Sequence, residues 1–343
     1  MDDFDRRLLD LIQRRMPLVR EPFAELAAQL DATESRVLDS LAALRSAGVI
    51  REISALFDAV ALGYDQALVA LRVAPEKLDE AGRLVAQHPG VSHCYARQAD
   101  VNLWWTLATS PRSRLGLKAT AAFLARQCGA AESMLLPTLR RYKLRVRFDM
   151  ESGPAPEPAE EPGESMPVPS ACSRPAPPLT DEQLRAIRAL QVDLPCRPDP
   201  FGPLAAAEAM DPDMLLVHAA DFLAAGWMRR YAAVLHHRAA GAPSNVLVAW
   251  EVPEALADVA GARCAQQPTV SHCYLRPTAP GWPYNLYTMI HGLTEQDCRR
   301  TIEEIVASTH VGRYVELWTV REYKKQRVRL FAREEDEWEG TAP

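Results

Sequence analysis

No stretch of the 343 residues approaches the roughly 20 consecutive apolar positions that a membrane-spanning helix needs. The beginning, Met1 to Arg15, is charged where a signal peptide would be apolar. Excess positive charge is also missing. With 39 Lys and Arg against 45 Asp and Glu, the net charge of −6 gives no global attraction to nucleic acid or anionic lipid. The seven cysteines are odd in number and scattered, without a CxxC pair or a metal-ligand spacing. Reduced, mostly buried thiols and a cytoplasmic setting are therefore expected. Neither a Gly-rich phosphate loop nor a Ser-His-Asp order occurs. The rest of the composition, 48% hydrophobic and 24% charged, is that of a globular chain long enough for two or more domains.

What is present is a repeat. Val91-Ser92-His93-Cys94-Tyr95 returns as Val270-Ser271-His272-Cys273-Tyr274, and each copy is preceded by Ala-Gln-x-Pro, at Ala86 to Pro89 and Ala265 to Pro268. An Asn-Leu-aromatic step follows in both, at Asn102-Leu103-Trp104 and Asn285-Leu286-Tyr287, with a short insertion around Pro280-Gly281-Trp282-Pro283 in the second copy. Arg140-Arg141-Tyr142-Lys143 is answered by Arg321-Glu322-Tyr323-Lys324. Four blocks in the same order mark two diverged copies of one module. Between them, residues 151–178 hold nine of the 27 prolines, which predicts an extended linker without a packed core.

Each copy opens with three short helical patterns. In the first, Leu8, Leu9 and Ile12 form one apolar face, Phe23 to Leu30 another, and Thr33 caps a third that stops at Gly48. In the second, Thr180-x-x-Gln183 reads as a capping box, and Asp211-Pro212 opens a helix ending at Gly226. Helices followed by a glycine and a β-hairpin outline a winged helix-turn-helix. Strands and helices then alternate as β-α-β-β-α-β, over Gln66–Val73, Pro75–His88, Val91–Arg97, Asn102–Ala108, Arg112–Gln127 and Ser133–Leu139. The second copy repeats them from Asn245 to Val320. The expected fold is α+β: a tandem repeat of a winged helix-turn-helix and a ferredoxin-like (βαββαβ) domain. Its divisions fall at 1–64, 65–150, a linker over 151–178, 179–243 and 244–333. The helix-free sheet face, with Trp104, Trp105 and Tyr287 among its residues, calls for a partner, so the two copies are expected to pack sheet against sheet as a pseudo-dimer. A further homo-dimer is compatible with this.

A DNA-reading helix needs cations for phosphates and base edges. The first copy offers Arg36 and Arg45, offset by Glu34 and Asp39, while Asp211 to Asp221 in the second has no Lys or Arg. A retained scaffold or dimerisation element fits better than a DNA reader.

Titratable groups gather instead in the second copy. Arg229-Arg230-Tyr231-Ala-Ala-Val-Leu-His236-His237-Arg238 faces Arg51-Glu52-Ile53-Ser-Ala-Leu-Phe-Asp58-Ala59-Val60 in the first, and the strand ending at His291 matches one ending at Ala108. A single pocket explains that asymmetry; fold alone does not require it. Taken singly, each residue has a plainer role. A strand histidine is usually a satisfied core or surface group, the Arg-Arg pair complements a helix end, and His93 and His272 pack a repeated turn. Arg140, Lys143, Arg321 and Lys324 read as a solvated basic strand end. Taken together they predict cations and imidazoles beside aromatics, a setting for a flat, apolar polycarboxylate gripped by arginine forks and protonated by a histidine.

These motifs carry a resemblance. Arg-Arg-Tyr-Ala-Ala-Val-Leu-His-His-Arg, Val-Ser-His-Cys-Tyr, Trp-Pro-Tyr-Asn-Leu-Tyr-Thr-Met-Ile-His-Gly and Arg-Glu-Tyr-Lys-Lys, on an Lrp/AsnC-like framework, resemble the siroheme decarboxylases. These occur as paired subunits (AhbA and AhbB) or as the Nir proteins of haem d1 biosynthesis, and the fused pair looks like the NirDL type. The resemblance implies loss of CO₂ from two acetate side chains of siroheme, with the iron belonging to the substrate and no further cofactor. It implies His237, His272 and His291 at the reacting acetates, as proton donor or carboxylate partner. Arg229, Arg230, Arg238 and Arg276 would anchor the other carboxylates, with Tyr284, Tyr287 and His93 at the ring. A histidine on the iron is the alternative role. Ala59 and Ala108 break the motif in the first copy, which puts a second active site there in doubt. An Lrp-type transcription regulator and a haem carrier without turnover are the competing functions.

Overall fold

The computed structural model describes residues 1–144, 166–167, 177–235 and 244–341. His237, Arg238 and most of the Pro-rich linker lie outside the described residues.

The first copy begins with α1 (Asp3–Arg14), α2 (Pro22–Gln29) and α3 (Glu34–Ser46), then strand β1 (Ile50–Phe57). Thr33 caps α3 as expected, accepting from Arg36 N–H at 3.3 Å. Its ferredoxin-like part comprises β2 (Asp65–Arg72), α4 (Leu78–Gln87), β3 (Val91–Arg97), β4 (Leu103–Thr109), α5 (Gly116–Gln127) and β5 (Glu132–Pro137). Next come β6 (Arg140–Leu144) and the two-residue β7 (Met166–Pro167). The second copy comprises α6 (Asp181–Leu190), α7 (Phe201–Ala207), α8 (Pro212–Ala224), β8 (Met228–Leu235), β9 (Ser244–Trp250), α9 (Ala257–Gln266), β10 (Val270–Leu275), β11 (Leu286–Gly292), α10 (Glu295–Thr309) and β12 (Tyr314–Lys325). The Thr180–Gln183 capping box forms, and Asp211 caps α8 through the N–H groups of Asp213 and Met214. A last helix, α11 (Arg333–Thr341), lies beyond the repeat.

The expected wing hairpin does not form within a copy. Each half supplies one strand, and β1 pairs antiparallel with β8, Ser54 opposite Ala232. A lone hairpin is marginal in water; pairing across the copies lets the apolar faces of both three-helix units share one core that includes Leu8, Ile12, Phe23, Ile187, Phe201 and Phe222. The exchange is reciprocal. Met16 N–H donates to Tyr231 O at 2.7 Å, and Leu194 N–H donates to Ile53 O at 2.8 Å.

The ferredoxin-like sheets join in the same way. The strand order is β5-β2-β4-β3-β12-β9-β11-β10-β6-β7. The first part of β12 pairs with β9 of its own copy and the second part with β3 of the other. β5 pairs with its own β2, and β6, two residues on, pairs with β10 of the second copy. The expected packing of helix-free face on helix-free face holds: Leu68, Trp104 and Leu136 meet Leu247, Tyr287 and Leu317 in one cluster. Trp105 is an exception to the expectation. Side chains alternate along a strand, so Trp104 enters this cluster while Trp105 is buried under the helices with Val85 and Leu124.

The strand ends foreseen as a solvated basic patch are the clasps of this exchange. Tyr142 hydroxyl donates to Asp258 on α9 at 2.6 Å, and Tyr323 hydroxyl donates to Asp79 on α4 at 2.7 Å. Arg140 pairs with Asp258 and Arg321 with Asp79. Lys143 Nζ reaches Gln267 O at 2.7 Å, and Lys324 Nζ reaches His88 O at 2.8 Å. The tyrosine rings lie on Gly261 and Gly82, where a Cβ would overlap them. α11 adds a further clasp. Glu335 accepts from Ser110 N–H at 2.9 Å and Glu339 from Arg114 N–H at 2.9 Å, while Trp338 meets the His88 ring edge-on at 4.1 Å.

Gly82→Ala is expected to force the Tyr323 ring off α4 and lower stability by about 1–3 kcal/mol, as overpacking does; a denaturant midpoint unchanged from the parent would contradict it. Burial, reinforced by Lys324, pulls His88 from 6.5 down to about 4. Below 6.5 the unfolded chain takes up a proton that the folded chain refuses until about 4, so acidification through this window favours unfolding. His88→Asn should flatten the fall of the denaturation midpoint between these two pH values.

Candidate active site

On the second copy's sheet, alternation sends Cys273, Thr288 and Ile290 toward the helices and His272, Tyr274, Tyr287, Met289 and His291 to the other face. The β10–β11 register slips between Val270 and His272, leaving Ser271 as the extra residue of a bulge. From there Ser271 Oγ reaches His291 Nε2 at 2.8 Å. His272 Nδ1 lies 3.3 Å from Tyr274 hydroxyl, with the two rings stacked at 6.0 Å. Both histidines are half-buried. Two imidazoles on adjacent strands, each with an oxygen on one ring nitrogen, can hold or pass a proton at a carboxylate or carbon brought to this face.

The first copy has the same bulge at Ser92, with different contents. Ser92 Oγ contacts His93 Nδ1 at 2.9 Å, and the position answering His291 is Ala108. Burial, then Lys325 and Arg51, holds His93 down to about 4, so its ring is neutral near pH 7.

Arg276 is 8% exposed. Its Nη1 donates to Leu136 O of the first copy at 2.6 Å, its guanidinium lies over the Tyr274 and Tyr287 rings, and its Nε has no partner among the described residues. Arg97 is its counterpart, bonded to Leu317 O and Thr319 Oγ1 of the second copy. Tyr287 does not border an open pocket. It is buried between the sheets, accepts from Trp282 Nε1 at 2.8 Å and donates to Tyr284 O at 3.3 Å. Tyr284 packs edge-on against Trp282 at the margin of that cluster. The repeated asparagines are structural: Asn102 and Asn285 each bond both backbone groups of a valine, Val73 and Val252.

Arg229 and Arg230, on β8, line a cleft of about 560 Å³ together with Arg14 and Arg15 at the end of α1. Arg229 grips Asp58 through Nε and Nη2, at 3.2 and 2.7 Å. The structure thus brings Tyr274, His272, Ser271 and His291 together on the second copy's sheet, while Arg229 and Arg230 lie at the α1–β8 cleft. Arg14, Arg15 and Asp58 were not foreseen. The first two look like ordinary helix-end arginines in sequence, and only the exchange of elements between copies carries them to β8.

Comparison with known proteins fits this geometry. The description "AsnC-like ligand binding domain" matches residues 61–143 and 239–324, and "Siroheme decarboxylase NirDL-like HTH domain" matches residues 5–51. A siroheme decarboxylase of Hydrogenobacter thermophilus is 34% identical over 337 residues, spanning 98% of this chain and 97% of that protein. The chain belongs to the siroheme decarboxylase family. That makes it a carboxy-lyase by descent. The crystal structure of the siroheme decarboxylase NirDL in complex with an iron-uroporphyrin III analogue superposes with a TM-score of 0.77 and 30% identity, over 99% of this chain and 98% of that one. The beta subunit of the Methanosarcina barkeri siroheme decarboxylase matches 43% of the chain, 34% identical over 147 residues and 97% of its own length. In this family member the helix-turn-helix arginines are already engaged: Arg36 pairs with Asp2 at 2.6 Å and Arg45 with Asp193 at 2.8 Å.

An NMR titration of the ring protons should find His93 still neutral at pH 5 and protonating near 4; a midpoint at its ordinary 6.5 would show the ring to be solvated.

Proposed function

We propose that this chain decarboxylates siroheme, removing CO₂ from two acetate side chains to give 12,18-didecarboxysiroheme on a route to haem d1 or an alternative haem. The full-length relationship to siroheme decarboxylases carries this reading. The placement of His272 and His291 on adjacent strands of the second copy, each with a hydroxyl on one ring nitrogen, supports it. In each step the bond from the side-chain CH₂ to its carboxylate breaks and CO₂ leaves. The electron pair delocalises into the macrocycle, and one proton added to the carbon leaves a methyl group. The iron is part of the substrate; the chain's task is to hold carboxylates and supply protons.

His272 and His291 are assigned to the reacting acetates as proton donors or carboxylate partners, with His237 beside them on sequence grounds. Ser271 and Tyr274 orient the two imidazoles through their second nitrogens. Arg229, Arg230, Arg276 and, again on sequence grounds, Arg238 hold carboxylates that stay on the ring. His93, neutral at working pH and opposite no second histidine, supports a first copy that completes the protein without a separate turnover site.

Anaerobic incubation with siroheme, followed by product mass, tests the reading: the expected product lacks two carboxyl groups, whereas unchanged mass with a shifted absorption band would mark a carrier. His272→Ala and His291→Ala should each lower kcat by about 100-fold or more, the usual size of a lost proton-transfer group, with denaturation midpoints near the parent's. Full activity in both variants would remove the assignment.

A further inference from the structure

Both copies carry histidine, tyrosine and arginine at alternate positions along one strand and its exit: His93, Tyr95 and Arg97 at β3, and His272, Tyr274 and Arg276 at β10. Alternate positions share a face. In each trio the guanidinium lies over the tyrosine ring, at 4.8 Å in the first copy and 5.2 Å in the second. The neighbouring strand comes from the other copy in both cases, and both pairings bypass one residue, Tyr323 on β12 and Tyr142 on β6. The backbone frame is therefore the same twice.

The two trios differ in charge and in bonding. Opposite Tyr95 stands Glu322; opposite Tyr274 stands Arg141. These two positions answer each other in the repeated Arg-x-Tyr-Lys block, so one residue reverses the sign of the charge beside a repeated tyrosine. Burial raises both phenols above their ordinary 10. Glu322 and the Cys94 thiol push Tyr95 further up, against Arg97. Around Tyr274, Arg276, Arg141 and Arg229 pull back down, with the Cys273 thiol acting the other way. The hydrogen bonds follow the same division. His93 turns Nδ1 to Ser92 Oγ at 2.9 Å, its ring tilted by 31° from that of Tyr95. His272 turns Nδ1 to the Tyr274 hydroxyl at 3.3 Å, its ring stacked on that of Tyr274 at 18°. A phenol among cations is the better donor, because they stabilise the charge left on its oxygen. A phenol that donates to Nδ1 leaves the imidazole's own proton on Nε2.

We propose that Tyr274 is the proton reserve of His272, and that Arg141, supplied by the first copy, is the positioning residue that equips this tyrosine, rather than Tyr95, for the task. This rests on the siroheme decarboxylase reading and deepens it. His272 is a neutral imidazole that accepts from Tyr274 at Nδ1 and carries its proton on Nε2. As the bond from CH₂ to the carboxylate breaks and CO₂ leaves, the electron pair on that carbon takes the Nε2 proton, and Nδ1 takes the phenolic proton. The imidazole is neutral before and after. The negative charge that the carboxylate brought ends on Tyr274, under Arg276 and beside Arg141, until a proton from water restores the half-buried phenol. The first copy's trio is set against this use: His93 is bonded to Ser92, and its tyrosine is opposed by a carboxylate.

Measurements on the full chain test this. Nitrogen-15 NMR of histidine-labelled protein without substrate should find the His272 proton on Nε2, a preference that Tyr274→Phe loses. Anaerobic single turnovers at saturating siroheme should be about ten-fold or more slower in Tyr274→Phe and about five-fold slower in Arg141→Glu. Half-saturating siroheme should stay within about two-fold of the parent, with unchanged denaturation midpoints. Arg141→Lys, which keeps the cation, should restore the rate, and Glu322→Gln, the pseudo-symmetric change, should leave it at the parent's value. Plotted against the deuterium fraction of the water, the parent's rate should fall along a curve, as for two protons in flight, and that of Tyr274→Phe along a straight line. A His272 proton on Nδ1 in the parent, or a parent-like rate in Tyr274→Phe, overturns the reserve and leaves the decarboxylase reading standing. A straight line for the parent reduces Tyr274 to holding the ring and overturns the proton path. Equal losses in Glu322→Gln and Arg141→Glu would trace the effect to strand pairing and overturn the role of Arg141. A parent that leaves siroheme unchanged removes both readings.

Discussion

Neither copy can finish its own sheet. β12 begins on β9 and ends on β3 of the other copy, and β5–β6 makes the reverse crossing. Everything else follows from this exchange. The helix-free faces are forced together over Trp104, Tyr287 and Leu317, and the winged halves fuse through β1 and β8. The clasps of tyrosine, aspartate and lysine fix how far each strand travels. Surface ion pairs such as Arg140–Asp258 contribute little on their own. The close contact of ring and glycine backbone beside them sets the geometry.

The buried guanidinium groups belong to the same exchange. Arg97 and Arg276 each bond the crossing strand of the opposite copy and stack on tyrosine rings, with no carboxylate beside them among the described residues. Charge removed from water is costly unless compensated, and burial pulls both below the usual arginine range, Arg97 to about 10. Carbonyl oxygens and ring faces supply the compensation at the two seams.

Much of this was legible in the sequence, because the repeat displays the same local physics twice. Helix caps at Thr33, Thr180 and Asp211 and the strand Val91–Arg97 follow from short-range rules. What escaped depends on which chain segment lies next to which. Trp105 was assigned to the wrong face, the wing strands were paired within a copy instead of between copies, and Arg140 and Lys324 read as solvated although each has a partner in the other half. For the candidate site the sequence offered a list of residues on the second copy, of which the fold sets His272 and His291 on one sheet face and Arg229 and Arg230 in a separate cleft. The burial of Tyr287 was not legible, since a strand aromatic looks alike whether its face meets solvent or a second sheet.

The arginine cleft takes two arginines from each half. A pair of first copies would set Arg14 and Arg15 beside Arg51 and Glu52; a pair of second copies would set Val192 and Asp193 beside Arg229 and Arg230. Only heterotypic association builds the fourfold cation cluster. Covalent fusion therefore does more than raise the effective concentration of the halves. It fixes their stoichiometry and rules out like-with-like assembly within the chain.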